Sequence, residues 1–125
     1  MSVILTTLRT PLPVSGALLN RLARDILKTD YALSVIFIGD ARSRRLNKTY
    51  RGKDEPTNVL AFPLSKKEGE LYIALPYALK EARMFGHTPK EHILFLFIHG
   101  ALHLKGFDHG PQMEKEEKRF MKKWS

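Results

Sequence analysis

Hydrophobic residues in the first third of the chain recur with two different periods, which predict two strands and an intervening helix. Residues 2–8 are rich in β-forming side chains and predict a strand. After Ser15, a suitable N-cap, apolar residues recur every three or four positions up to about Lys28, and this spacing predicts an amphipathic helix. The nearly continuous apolar run at 32–38 predicts a second strand, covered on both faces.

A basic helix and a hairpin are predicted next. Asp40 stands where it can cap a helix that extends to about Tyr50. Residues 51–57 contain glycine and proline and predict a polar loop. The apolar segments 58–64 and 70–75 are separated by a short polar turn, so we expect two strands that pair as a hairpin.

Three helices are predicted for the rest of the chain. A proline and a glycine bound a short helix at 76–86. Residues 88–91 form a capping-box pattern and start a long apolar helix that ends near Leu104, just before a glycine. Charges of both signs mix at 114–123, which predicts a solvated face on a last helix at 111–124.

Element order and composition together indicate the fold class. Strand, helix, strand, helix, hairpin and further helices predict an α+β fold with a mixed four-stranded sheet and packed helices, expected as a single domain over residues 1–125. The chain has no cysteine, which excludes disulfides and thiolate metal ligands and favours a reducing cytoplasm. Its longest apolar run, Ile93 to Ile98, is too short to span a membrane, and we expect no secretory signal.

An excess of positive charge favours a polyanionic partner. The 125 residues include 21 Lys and Arg against 13 Asp and Glu, which gives a net charge of +8. Such proteins are attracted to nucleic acids through many weak phosphate contacts. Six basic residues occur between positions 42 and 53 without an intervening acid, and we expect them to contact phosphates: Arg42, Arg44, Arg45, Lys48, Arg51 and Lys53.

Three histidines near the end of the long apolar helix predict a metal site. His99 and His103 are four residues apart and therefore share one helix face. Gly106 allows the chain to leave the helix and turn back, which can deliver His109 as a third ligand. A pair at this spacing also arises in ordinary packing, and the third histidine favours metal binding. Three neutral imidazoles suit Zn²⁺ and leave one coordination position open, although another divalent transition metal can bind the same ligands.

Neighbouring residues limit the chemistry of this site. His92 is too far along the helix to share the ion and is expected to pack or to lie at the surface, while His87 can belong to the helix cap. Gly100 occupies the slot in which zinc proteases carry a glutamate base, and we expect it to leave room for a bulky substrate. Asp108 and Glu70 are candidate bases, although an orienting or turn role fits Asp108 better.

Several stretches resemble one known family. The string His99–His109 is similar to the signature H-G-x-L-H-L-x-G-Y/F-D-H of the YbeY family of bacterial metal-dependent endoribonucleases. Residues Leu46–Arg51 resemble its L-N-x-x-Y-R motif, and Asp54–Pro63 resembles its D-x-P-T-D-V-L-S-F-P motif. A Gly-His pair at 86–87 also matches, so the resemblance covers about 32–110.

The resemblance implies a fold and a set of roles. It implies a zincin-like α+β domain, zinc on His99, His103 and His109, and a functionally important Arg51. An arginine there can hold a phosphate through two hydrogen bonds and stabilise the charge that develops on it. The family's acid in T-D-V-L is Asn58 here, so any role that needs a negative charge at this position is lost.

The leading functional hypothesis is a cytoplasmic, zinc-dependent endoribonuclease directed at single strands in ribosomal RNA maturation. The resemblance also suggests the ribosome or ribosomal proteins as partners. One alternative is a ribosome-associated RNA-binding factor with a structural metal, which would need a fourth protein ligand. Another is a metal hydrolase of a different substrate, which a neutral cleft beside the metal would favour.

Overall fold

The computed structural model describes residues 2–6, 12–28 and 30–124, and for residues 2–6 it describes the backbone only. The last two residues of the first predicted strand, 7 and 8, lie outside the described residues. The described elements are β1 (Ser2–Thr6), α1 (Gly16–Leu27), β2 (Ala32–Ile38), α2 (Asp40–Arg51), β3 (Val59–Ser65), β4 (Glu68–Ala74), α3 (Leu75–Met84), α4 (Pro89–Lys105) and α5 (Pro111–Trp124).

The sheet is mixed, as predicted for an α+β protein. Strands β2 and β4 run parallel, and β3 pairs antiparallel with β4 as the predicted hairpin. The backbone of β1 continues the sheet beyond β2 in parallel register, so the strand order is β1-β2-β4-β3. The hairpin strands extend further into the turn than the sequence predicts, because Ser65 already pairs with Glu68. Strand β3 is left at an edge of the sheet.

One face of the sheet carries the core. Leu33, Val35 and Phe37 of β2 are buried, whereas the residues between them are half-buried, so the strand is fully covered on one face only. Helices α1 and α4 pack together in this core. Helix α4 is buried on nearly all sides, which is typical of a helix at the centre of a fold. Helix α2 covers part of the opposite face.

Gly100 allows α4 to approach the sheet closely. A Cβ atom at this position would lie 2.7 Å from Leu71 Cδ2 and 3.2 Å from Val59 Cγ2. Both neighbours are buried, so the space beside Gly100 on this side is filled by the hairpin strands. The expectation that Gly100 makes room for a bulky substrate is therefore incomplete, because Gly100 also allows close helix–sheet packing.

The ends of the helices confirm two predicted caps and correct a third. Ser15 accepts a hydrogen bond from the Leu18 N–H, and Thr88 forms the complete capping box with Glu91. The prediction that Asp40 caps α2 is wrong, since Gly39 is the N-cap and no side chain caps the helix. Asp40 is instead the first residue of α2.

The carboxylate of Asp40 joins α2 to α3. Its Oδ1 accepts a hydrogen bond of 3.1 Å from the backbone N–H of Tyr77 in the first turn of α3. This N–H has no partner within its own helix, so a carboxylate from another element satisfies it. Among the described residues, no helix combines the length and apolar character that crossing a lipid bilayer requires.

Candidate metal centre

The end of α4 brings the three predicted histidines together. His99 and His103 lie one turn apart on α4, and Gly106 ends the helix in the left-handed region with φ of 109°. The Phe107 N–H then donates to the carbonyl of Leu102 at 3.0 Å, which reverses the chain. This reversal returns His109 to the first two rings. Each histidine offers one ring nitrogen as a ligand, and these three nitrogens lie within 4.8 Å of one another.

Hydrogen-bond acceptors face the outer nitrogens of two of these rings. His103 Nδ1 lies 3.0 Å from the Phe107 carbonyl, and because a carbonyl only accepts, we assign the proton to this nitrogen. His99 Nδ1 lies 3.4 Å from Glu117 Oε2. This contact is within ion-pair distance but does not form a hydrogen bond, so the buried His99 Nδ1 has no hydrogen-bond partner.

The inner nitrogens fit a cation between them. His99 Nε2 and His103 Nε2 are 3.2 Å apart, and two nitrogens bound to one tetrahedral zinc ion lie about 3.3 Å apart. When His99 carries its proton on Nδ1, beside the Glu117 carboxylate, the two Nε2 lone pairs face each other. A cation removes that repulsion, so the donor set and the outer acceptors both fit a bound metal ion.

Burial favours the neutral form of the His103 imidazole. Burial lowers the pKa of its imidazole, repulsion from His99 lowers it further, and the hydrogen bond to the Phe107 carbonyl opposes these effects. Positive charge at His109 and Arg51 also lowers this pKa. A neutral ring is the form that binds a metal.

A cleft of about 430 Å³ opens beside the histidines. The edge strand β3 forms one wall, and Arg51 and Asn58 lie in its lining with all three histidines. Arg51 is the last residue of α2 and not part of a loop as predicted, because the helix ends only at the left-handed Gly52. The predicted functional arginine and the three histidines therefore share one solvent-filled space.

The remaining basic residues of the predicted cluster lie outside this cleft. All are exposed: Arg42, Arg44, Arg45, Lys48 and Lys53. Arg44 is already paired with Asp54 through two hydrogen bonds of 2.7 and 3.1 Å. Mutual hydrogen bonding and charge lower the pKa of Asp54 and raise that of Arg44. The part of this cluster that is free to attract an anion is therefore smaller than the sequence suggests.

Neither candidate base lines the cleft. Glu70 lies on the opposite face of β4 from Leu71, where its Oε1 accepts a hydrogen bond of 3.4 Å from the Tyr72 hydroxyl. Asp108 is exposed in the turn that precedes His109. The prediction of Glu70 as a base is not supported by this placement, and Asp108 fits the turn role.

Sequence reasoning missed Glu117. The charged segment 114–123 was predicted to be solvated, but Glu117 is only 8% exposed and faces His99. A signal was present, because Met113, Glu117 and Phe120 are spaced as one apolar helix face. A carboxylate on such a face needs a partner, and here the partner is a ring of the histidine group.

A second histidine pair belongs to packing. His92 is buried, as the packing interpretation predicts, and its Nε2 lies 3.2 Å from Glu81 Oε1. The His87 ring contacts His92 Nδ1 at 3.1 Å, so it buttresses this pair and does not cap the helix by its side chain. The same Glu81 oxygen accepts a hydrogen bond of 3.1 Å from Asn58 Nδ2, which fixes Asn58 at the cleft.

Comparison with known proteins agrees with this site. The family model described as endoribonuclease YbeY matches residues 14–125. Endoribonuclease YbeY of Aromatoleum aromaticum is 42% identical over 106 residues, which cover 82% of this chain and 69% of the relative. The corresponding protein of Pelotomaculum thermopropionicum is 32% identical over 142 residues and covers 98% of this chain and 91% of the relative.

A solved structure supports the same architecture. The solution structure of TM1509 from Thermotoga maritima superposes with a TM-score of 0.66 at 30% sequence identity. The match covers 95% of this chain and 87% of that protein. The likeness therefore extends over the sheet and the helices that carry the histidine group.

Proposed function

Because the chain belongs to the YbeY family of endoribonucleases, we propose that it is a metal-dependent endoribonuclease that cleaves single-stranded segments of ribosomal RNA. The observation that carries this proposal is the histidine group at the wall of an open cleft that also contains Arg51. The α+β sheet with a histidine-bearing helix behind it supports a zincin-like arrangement. Metal ligands and an anion-binding side chain in one space suit hydrolysis of a phosphodiester.

Zinc is the proposed ion, held by His99, His103 and His109. The acceptors behind two of these rings, the Phe107 carbonyl and Glu117, would hold the imidazoles with their Nε2 atoms toward the ion. When bound, the ion supplies Lewis acidity toward a phosphodiester oxygen. The remaining work falls to side chains of the protein.

Arg51 would bind the scissile phosphate. Its guanidinium lies in the lining of the cleft with the histidines and can hold two phosphate oxygens at once. Negative charge on those oxygens grows as the bond to the leaving oxygen breaks, and a fixed positive charge stabilises that state. The exposed basic residues of α2 would bind neighbouring phosphates with weaker, salt-dependent contacts.

A cleavage assay with two matched histidine variants tests the proposal. The wild-type protein, loaded with Zn²⁺, is expected to cut an unstructured ribosomal RNA fragment, and excess chelator should abolish cutting. His109→Ala should lose both zinc and activity, whereas His87→Ala, another exposed histidine, should retain both. Cleavage that survives chelator and His109→Ala would refute the metal mechanism.

The structural-metal alternative receives less support. It requires a fourth protein ligand, and the group found among the described residues has three members. The alternative of a metal hydrolase of a different substrate, such as a small molecule or a peptide, is weakened by Arg51 in the lining of the cleft. A duplex RNA and a peptide, assayed beside the single-stranded RNA, separate these possibilities.

The setting of the activity is part of the same proposal. We place the protein in the cytoplasm, in contact with the ribosome or ribosomal proteins, as one domain over residues 1–125. The RNA substrate and the net charge of +8 support this setting. Co-sedimentation of the protein with ribosomal subunits at several salt concentrations tests it.

A further inference from the structure

An exposed group of aromatic rings lies just outside the histidine cleft. Tyr50, Phe62 and Tyr72, here called the aromatic shelf, contact each other edge to face. The ring centroids of Tyr50 and Phe62 are 4.9 Å apart, and those of Phe62 and Tyr72 are 5.6 Å apart. Tyr50 is nevertheless 63% exposed, and the neighbouring Leu64 is 55% exposed.

Contacts with α2 leave much of this aromatic surface exposed. Phe62 and Tyr72 project from β3 and β4 toward α2, on the face opposite the core, and Tyr72 is half-buried there. Tyr50 sits at the end of α2 and leaves most of its ring in solvent. A cleft of about 210 Å³ adjoins the rings. An aromatic face that is held in place but left open is suited to stacking with a flat ligand.

The shelf adjoins the histidine cleft across the edge strand β3. Pro63 lines both spaces. Tyr50 of the shelf is followed directly by Arg51 of the cleft, so their Cα atoms are about 3.8 Å apart. A strand of RNA with one phosphate at Arg51 would need to pass round the edge of β3 to reach the shelf, which is a distance of a nucleotide or two.

The charge around the shelf favours a nucleic acid over a protein. The Arg42 guanidinium carbon lies 5.8 Å from the centre of the Tyr72 ring, and the exposed Lys48 is on the same helix. The one acid in the lining, Glu70, accepts a hydrogen bond from the Tyr72 hydroxyl. Aromatic rings flanked by cationic side chains are what single-stranded nucleic-acid sites use.

We propose that the aromatic shelf stacks one unpaired base of the RNA substrate, next to the phosphate that Arg51 binds. The inference rests on the proposed endoribonuclease function and adds to it a subsite for a base. The preference for single strands follows from it, because a base within a duplex has no free face to offer. Since every base has a π face, the subsite would tolerate different sequences.

Single-turnover cleavage by the zinc-loaded protein tests the shelf. A short, intact single-stranded RNA is compared with a set of RNAs of the same sequence, each of which carries an abasic ribose at a different position near the cleavage site. Loss of one stacked base typically weakens binding about 5- to 100-fold. We expect Tyr50→Ala to raise the half-saturating protein concentration for the intact RNA by this factor, with little change in the rate at saturation. Tyr50→Phe, which keeps the ring, should behave like the wild type.

The abasic RNA identifies stacking as the cause. At one position, base removal should weaken binding to the wild type as much as Tyr50→Ala does, and the two changes together should cost no more than either alone. Phe62→Leu, which keeps apolar volume, should show the same pattern and melt close to the wild-type temperature. Phe85→Ala, which removes another highly exposed ring, should leave the half-saturating concentration unchanged.

Two failures are distinguishable. A wild-type protein that cuts RNA with the same half-saturation as Tyr50→Ala, or equally well with every abasic RNA, overturns the shelf and leaves the nuclease proposal intact. A wild-type protein that cuts no RNA overturns the proposed function, and the shelf with it.

Discussion

Glu117 provides the sharpest test of the metal centre, because metal affinity and stability of the metal-free protein should respond in opposite directions. Its carboxylate is 8% exposed, and its Oε2 lies 3.4 Å from the Nδ1 of His99. When a metal binds the Nε2 of His99, the proton must remain on Nδ1, where the carboxylate can accept it. Glu117→Leu removes this acceptor and also removes a buried charge.

The two effects have different magnitudes. Loss of a group that orients a metal-bound histidine typically lowers metal affinity 10- to 100-fold, about 1.4–2.8 kcal/mol. In the metal-free protein, the carboxylate makes no hydrogen bond to the ring, so it contributes little to stability there. Replacement of such a charge by leucine is expected to be neutral or to stabilise by about 1–3 kcal/mol. Glu117→Gln keeps an acceptor and should lower metal affinity less than tenfold.

Two measurements check both signs. Competition with a chromophoric chelator gives the zinc affinity, and urea unfolding of the metal-free protein gives the free energy of unfolding. Glu114→Leu is the matched control, since Glu114 is exposed on the same helix and should change neither quantity beyond about 0.5 kcal/mol. Wild-type zinc affinity in Glu117→Leu would refute the orienting role. A large loss of metal-free stability would show that the carboxylate stabilises the metal-free protein, which would refute this reasoning.

Three further predictions concern other parts of the molecule. Arg51→Ala should lower the RNA cleavage rate about 10²- to 10³-fold, as loss of a charge-stabilising donor does, without change in zinc affinity. Asn58→Asp should destabilise the protein by about 1–3 kcal/mol at pH 8, because the 3.1 Å hydrogen bond to Glu81 becomes a contact between two carboxylates. Urea unfolding at pH 8 measures this loss. A third prediction concerns Asp25. Burial raises the pKa of its carboxyl group, but hydrogen bonds from Trp124 and Lys123 outweigh burial and hold this pKa below its ordinary value of 3.8. The ionised Asp25 therefore stabilises the folded protein above pH 3.8, and this stabilisation is lost as the pH falls through the lower pKa of the folded state. Asp25→Asn should make the free energy of unfolding less dependent on pH in the acid range, as followed by Trp124 fluorescence.

Each of these predictions has a decisive contrary outcome. Full activity in Arg51→Ala would remove the arginine from the chemistry, and Arg44→Ala, whose side chain is paired with Asp54, is its control. An unchanged free energy of unfolding in Asn58→Asp would mean that the new carboxylate turns away from Glu81. An unchanged acid limb in Asp25→Asn would assign acid unfolding to other carboxylates.

Much of the fold was predictable because its signals are local. The capping box at Thr88, the left-handed Gly106 and the apolar run between them specify α4 within a few neighbouring residues. The polar turn between two β-forming segments likewise predicts the hairpin. Since the histidines lie on that helix and in the turn after it, their convergence follows from the same local geometry.

Features that depend on contacts between distant elements were not predictable. Asp40 is a residue type that often caps helices, but its carboxylate accepts a hydrogen bond from Tyr77 of α3, which is 37 positions further along the chain. The basic cluster at 42–53 contains no acidic residue, but Arg44 donates a hydrogen bond to Asp54, which lies just beyond the cluster in the loop after α2. Charge mixing on the last helix predicts a solvated face, and Glu117 contradicts this because α5 packs on α4.

The sequence by itself determined the α+β class, the boundaries of most elements and the three imidazoles that can share an ion, because helical periodicity and capping act over a few residues. Only the tertiary structure decided what stands behind and beside those rings. It placed Glu117 against His99, Arg51 and Asn58 in the cleft, and the aromatic shelf at its edge. These neighbours come from separate elements, and their distances depend on how the helices pack on the sheet.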